Sequence, residues 1–359
     1  MSRKVIAAPV TWALVSSVLL VLVLWLLFAS RPGSGGSDCA NPGVGAGPAV
    51  VDGRTPGVAA VTDGSATTRA AKNCDPAPTD PPSLADPDSP PPENDSKGTT
   101  RPAPMPLPTR VVGVYYKAFS ENPTPLSQSV PAGANVVYLS FLQGDPPRLT
   151  VDITPQLVAD VKALRAQGVR VIASAGGEDG PTNIANPDGF VQGVMDVNAQ
   201  LPLDGLDWDI EDGDVWDTTN VVAISTRLKQ VRGSAFAITM APNGSLIDEY
   251  IPTAKALYDR NALDMIGQQF YGAPVTIEEA QDRVDQVVAA GIPDSRVGIG
   301  MMMPHGSDMA GKVWDLQTCI AALEEIRRDH PGLRGVYLWE ANRTDTGDWT
   351  RQMSSMLLA

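Results

Sequence analysis

The chain has 359 residues with 43% apolar content, enough for a full-sized core plus additional segments. Its net charge of −14 argues against a nucleic-acid partner, because phosphate binding needs lysine and arginine patches. Three scattered cysteines (Cys39, Cys74, Cys319) and two histidines (His305, His330) offer no ligand set for a metal and no serine–histidine triad, so neither a metal nor another cofactor is expected.

In chain order, residues 1–9 carry Arg3 and Lys4 ahead of an uncharged apolar run, Val10 to Ala29. A helix of that length matches a hydrocarbon core of about 30 Å, and the preceding charges keep the N-terminus in the cytoplasm. The run is expected to be a membrane anchor or a signal peptide, and either exports the rest of the chain. Residues 30–109 hold half of the 32 prolines and no Phe, Trp or Tyr. Such a stretch buries too little apolar surface to offset its chain entropy, so it reads as a disordered linker in which Cys39 and Cys74 could pair.

From Arg110 to Ala359 short apolar runs alternate with amphipathic segments. Strands are predicted at 111–116, 135–142, 169–175, 205–211, 235–241, 265–271, 297–303 and 335–339. Helices are predicted at 156–166, 188–199, 219–231, 245–260, 277–290, 313–329 and 348–358, with a weakly helical, Pro-rich first connection. Eight such units in about 250 residues match the α/β class and a (β/α)8 barrel. A doubly wound sheet is the alternative, but no glycine-rich phosphate fingerprint follows the first strand.

Barrels of this kind work at the C-terminal ends of their strands, and the fourth strand is the most informative. It reads Asp204-Gly205-Leu206-Asp207-Trp208-Asp209-Ile210-Glu211. Asp207, Asp209 and Glu211 are two apart and share one face, while Leu206, Trp208 and Ile210 take the other. Like charges on a half-buried face repel and lose hydration, so some must hold a proton or find partners, as an acid with a raised pKa and a supporting carboxylate would. Asp204 is out of phase and reads as structural. Other strand ends carry Ser174-Ala175-Gly176-Gly177, Met240-Ala241-Pro242-Asn243, Gln269-Phe270-Tyr271 and Trp339-Glu340. By parity Gln269 and Tyr271 share a face, as do Tyr337 and Trp339.

These residues resemble the family 18 glycoside hydrolases, the chitinases and endo-β-N-acetylglucosaminidases. The 204–211 stretch fills every fixed position of that family's Asp-x-x-Asp-x-Asp-x-Glu signature. Ser174, Gly176 and Gly177 match its Ser-x-Gly-Gly motif, and the strand-five, strand-six and strand-eight motifs follow in order. The resemblance covers about residues 110–345. It implies that Glu211 is the general acid and that the substrate's own acetamido oxygen is the nucleophile. Asp209 would orient the acetamido N–H, Asp207 would share a proton or charge with Asp209, and Tyr271 would donate to the acetamido carbonyl. Trp339 would form an apolar floor under the sugar, with Gln269, Ser174, Met240 and Asn243 as further substrate-binding positions. Asn243 departs from the Glu or Gln of many members, and the thirty or so residues between the last two strands leave no room for a cleft-deepening domain. The expected partner is an N-acetylglucosamine-containing polysaccharide or oligosaccharide, chitin or its fragments first. The alternatives are N-glycan cleavage and a non-hydrolytic sugar-binding protein on the same fold.

Overall fold

The computed structural model describes residues 102–117, 124–177, 180, 182–211, 216–304, 311–341 and 345–358. The apolar run Val10–Ala29, the cysteines Cys39 and Cys74, and His305 lie outside the described residues. Among those described, no helix is long and apolar enough to cross a membrane.

Nine strands form one sheet: β1 (Val111–Lys117), β2 (Val136–Gln143), β3 (Arg148–Leu149), β4 (Arg170–Gly176), β5 (Gly205–Asp209), β6 (Ala237–Met240), β7 (Met265–Gln269), β8 (Val297–Met302) and β9 (Gly335–Trp339). Their order is β1-β9-β8-β7-β6-β5-β4-β2-β3, and pairing of β1 with β2 closes the ring. Every neighbour in the ring is parallel. The short β3 is an antiparallel addition to β2 that the sequence pattern did not announce. Helices α1 (Leu126–Ser129), α2 (Pro155–Ala166), α3 (Pro187–Gln200), α4 (Thr218–Arg232), α5 (Ile247–Asp259), α6 (Ile277–Ala289), α7 (Leu316–Asp329) and α8 (Thr346–Leu357) connect or follow the strands. Several start where a side chain accepts an otherwise unpaired helix N–H: Thr154, Asn186, Asp217, Thr276 and Asp315 all do so.

The alternation of each strand divides the core in two. Leu206, Trp208, Ile210, Phe270, Val336 and Leu338 pack toward the helices. Tyr115, Tyr138, Ile172, Ala237, Met265 and Tyr337 fill the barrel interior, where Tyr115 and Tyr138 stack with centroids 4.5 Å apart. Cys319 belongs to the outer layer, and burial pushes its thiol up to about 12.

Two differences from the expected boundaries bear on the core and the site. Residues 102–109, read from sequence as the end of the linker, lie against the N-terminal face of the barrel. Leu107 is buried in the inner core. Arg165, Arg170, Arg232 and Arg334 donate to the carbonyls of Ala103, Pro106, Pro102 and Leu107. Met105 N–H donates to Asp204 at 2.7 Å. Composition misses this because the segment is held by backbone carbonyls rather than by a run of apolar side chains. The second difference is β5, which stops at Asp209 instead of running to Glu211. Beyond Asp209 the backbone bonds a side chain: Ile210 N–H donates to the Tyr250 hydroxyl, which donates in turn to Ile210 C=O, both at 2.8 Å.

Candidate active site

At the C-terminal face the strand ends surround a cleft of about 900 Å³. Asp209, Glu211, Asn243, Gln269, Tyr271 and Trp339 line it, so six of the nine residues selected from sequence come together there. Asp207 and Ser174 lie directly beneath. Phe141, Gln143, Lys117 and Met302 also line the cleft and were not foreseen. Strict alternation along β2, with Val136 and Tyr138 inward, would turn Phe141 outward; the register shift between Ser140 and Leu142 sets it apart from that pattern.

The carboxylate ladder is built from below. Asp204 is fully buried at the strand start and pairs with Arg165 at 2.8 Å. It also accepts from the N–H of Val171, at 3.0 Å, in keeping with a structural role. Asp207, 1% exposed, accepts hydrogen bonds from three hydroxyls: Tyr115 at 2.8 Å, Ser174 at 2.8 Å and Thr239 at 2.6 Å. Burial raises its pKa, and those three donors pull it back down. Asp209, 3% exposed, accepts from Gln269 Nε2 at 2.7 Å. Burial raises its pKa well above the ordinary carboxylate value, and the charges of Glu211 and Asp207 raise it further. A hydrogen-bonding contact with Glu211 adds to that rise. Asp207 thus has three hydroxyl donors of its own, while its charge also acts on Asp209. Half-buried Glu211 receives Gln269 Nε2 at 3.2 Å, so one amide nitrogen bridges both carboxylates.

Neighbouring elements fix these positions. The register places Asp207 between Ser174 and Thr239, which is why both reach it. Gly176 has φ +122°, and a Cβ there would stand 2.1 Å from the Asp209 carbonyl. Gly177 N–H donates to that same carbonyl at 2.7 Å. A glycine pair is thus required for β4 to bend against the end of β5. Burial holds the Tyr271 hydroxyl well above its usual pKa, and Asp209 and Glu211 add to the effect, so it stays a neutral donor. Trp339 is partly exposed and stacks on Phe141 at 5.7 Å and 18°. Asn243 Oδ1 accepts from Ser245 N–H and Oγ and shapes the turn after β6.

Three selected residues do not line the cleft: Asp207, described above, Met240 and Ser174. Met240 points to the helix layer, because β6 alternates and Thr239 takes the inner position. Ser174 is fully buried and serves Asp207 rather than a ligand. Tyr115, from β1, is buried and donates to Asp207. Trp216 stacks on Tyr250 at 4.0 Å.

No family model matches the chain. Among curated proteins it is 27% identical over 217 residues to Chitinase ChiA of Flavobacterium johnsoniae, covering 46% of this chain and 14% of that protein. It is 26% identical over 221 residues to Chitinase 2 of Rhizopus oligosporus, covering 56% of this chain and 40% of that protein. The chain thus spans less than half the length of these two relatives. Among solved structures, a family GH18 chitinase from Chromobacterium violaceum superposes with TM-score 0.60 at 22% identity, covering 71% of this chain and 85% of the other. A chitinase-like agglutinin from Robinia pseudoacacia superposes with TM-score 0.53 at 16% identity, covering 68% and 98%.

Proposed function

We propose that the chain is a family 18 glycoside hydrolase, as its chitinase relatives support, and that it hydrolyses β-1,4 bonds at N-acetylglucosamine residues with the substrate's acetamido group as nucleophile. The observation that carries this reading is that one amide nitrogen, Gln269 Nε2, reaches both Asp209, at 2.7 Å, and Glu211, at 3.2 Å. Carboxylates that flank a glycosidic bond stand about 5–5.5 Å apart when one is a nucleophile, and about 6.5–9.5 Å apart when one activates water. Two carboxyls served by one amide nitrogen sit side by side rather than across a bond, which leaves the nucleophile to the substrate.

Glu211 donates the proton to the glycosidic oxygen as the acetamido oxygen attacks its own anomeric carbon and the bond to the leaving sugar breaks. The resulting cyclic cation is opened by water, whose proton Glu211 takes back, with net retention at the anomeric carbon. Asp209, turned from Glu211 to the acetamido N–H, carries the compensating negative charge. Tyr271 donates to the acetamido carbonyl, and Trp339 with Phe141 supplies an apolar face for the ring. Chitin or chito-oligosaccharide is the proposed substrate class. The proposed setting is outside the cell, on the strength of the apolar run Val10–Ala29 in the sequence. A sugar-binding protein is the competing reading, because an agglutinin shares the fold. The presence of Glu211 favours hydrolysis.

The test is release of chromophore from a chitobioside, beside a high-mannose glycopeptide, by wild type and Glu211→Gln. Wild type is expected to cleave the chitobioside, and the variant to lose at least about 100-fold in kcat/KM. Equal inertness of both proteins with retained sugar binding makes the chain a binding protein.

A further inference from the structure

The cleft does not end at Tyr271. It continues past the turn after β6 to the side of α6, where Glu279, Asp282, Arg283 and Gln286 face it at helical spacing. The helix layer parts there: α5 and α6 scarcely touch, while α4 packs along α5 and α6 along α7. The floor of this arm holds Gln268. It alternates with Gln269 along β7, so it turns away from the carboxylates, yet it lines the same cleft. Gln268 is only 7% exposed, and its Oε1 is buried with no hydrogen-bond partner among the described residues. An amide oxygen withdrawn from water and left unpaired is costly, and a ligand that donates to it recovers that cost.

We propose that this arm is a further saccharide subsite, in which Gln268 Oε1 accepts from a hydroxyl or amide N–H of a sugar beyond those seated at Glu211. The inference rests on the hydrolase reading above and adds to it a determinant of chain length. The contribution of Gln268 is a directed hydrogen bond, and loss of the acceptor penalises long substrates selectively.

The experiment compares wild type with Gln268→Leu on N-acetylglucosamine oligomers of increasing length, from dimer to hexamer. The ratio of kcat/KM for hexamer over dimer is expected to fall about ten-fold in the variant. Its melting midpoint is expected to equal or exceed that of wild type, since an unpaired buried amide has been removed. Gln268→Met, closer in shape, repeats the measurement. An unchanged ratio in a folded variant overturns the proposal, as does a large fall in melting midpoint for both variants, which makes Gln268 a packing residue. Failure of wild type to cleave any oligomer overturns the hydrolase reading instead, and is distinguishable because no ratio is then obtained.

Discussion

Three hydroxyl donors govern Asp207, and their loss is readable one at a time. Tyr115→Phe removes a bond of 2.8 Å and leaves the carboxylate two donors. The expected result is a loss of about 1–2 kcal/mol at neutral pH, checked by urea unfolding, with Asp207 rising further in pKa. Asp209 has the opposite balance, because burial and Glu211 oppose its charge. Below the ordinary value of 3.8 both folded and unfolded chains hold its proton. As pH rises the unfolded chain releases it first, so folding stability falls until Asp209 itself ionises. Asp209→Asn keeps an oxygen for Gln269 and carries no charge. It is therefore expected to flatten the fall in melting midpoint with pH and to raise the midpoint at neutrality, while activity drops at least about 100-fold. A variant that melts lower than wild type at neutral pH would show that the charge of Asp209 supports the fold.

At the scale of elements, the ladder on β5 was legible because a period of two is strict: each residue placed inward by spacing does point inward, as Asp207, Asp209, Gln269 and Tyr337 show. The same rule, applied to β6, would have rejected Met240 in favour of Thr239. Resemblance to a motif suggested Met240, and a motif does not state which side a residue faces. What spacing could not reveal was who answers a buried charge. Tyr115 comes from a strand 92 residues earlier in the chain than Asp207, and only barrel closure brings it close. The segment 102–109 was illegible for a related reason, since its partners are four arginines from three separate parts of the chain. Its contribution is measurable. Leu107→Ala is expected to cost about 2 kcal/mol. A fragment beginning at Arg110 is expected to melt at least about 5 °C below one beginning at Pro102, by calorimetry.

For the whole molecule, closure of the barrel separates two tasks. The face at the strand starts is stabilised by Asp204, Arg165 and the docked segment, all remote from the cleft. The face at the strand ends collects charge that the fold would be more stable without, as expected of a site shaped for reaction. The central claim is that the substrate brings its own nucleophile. The most direct measurement compares wild-type kcat/KM on two chromogenic disaccharides that differ only in whether the 2-position carries acetamido or hydroxyl. The account predicts turnover of the acetamido substrate and none detectable of the hydroxyl analogue. Comparable hydrolysis of both would contradict it, and would return the role of nucleophile to a carboxylate of the protein.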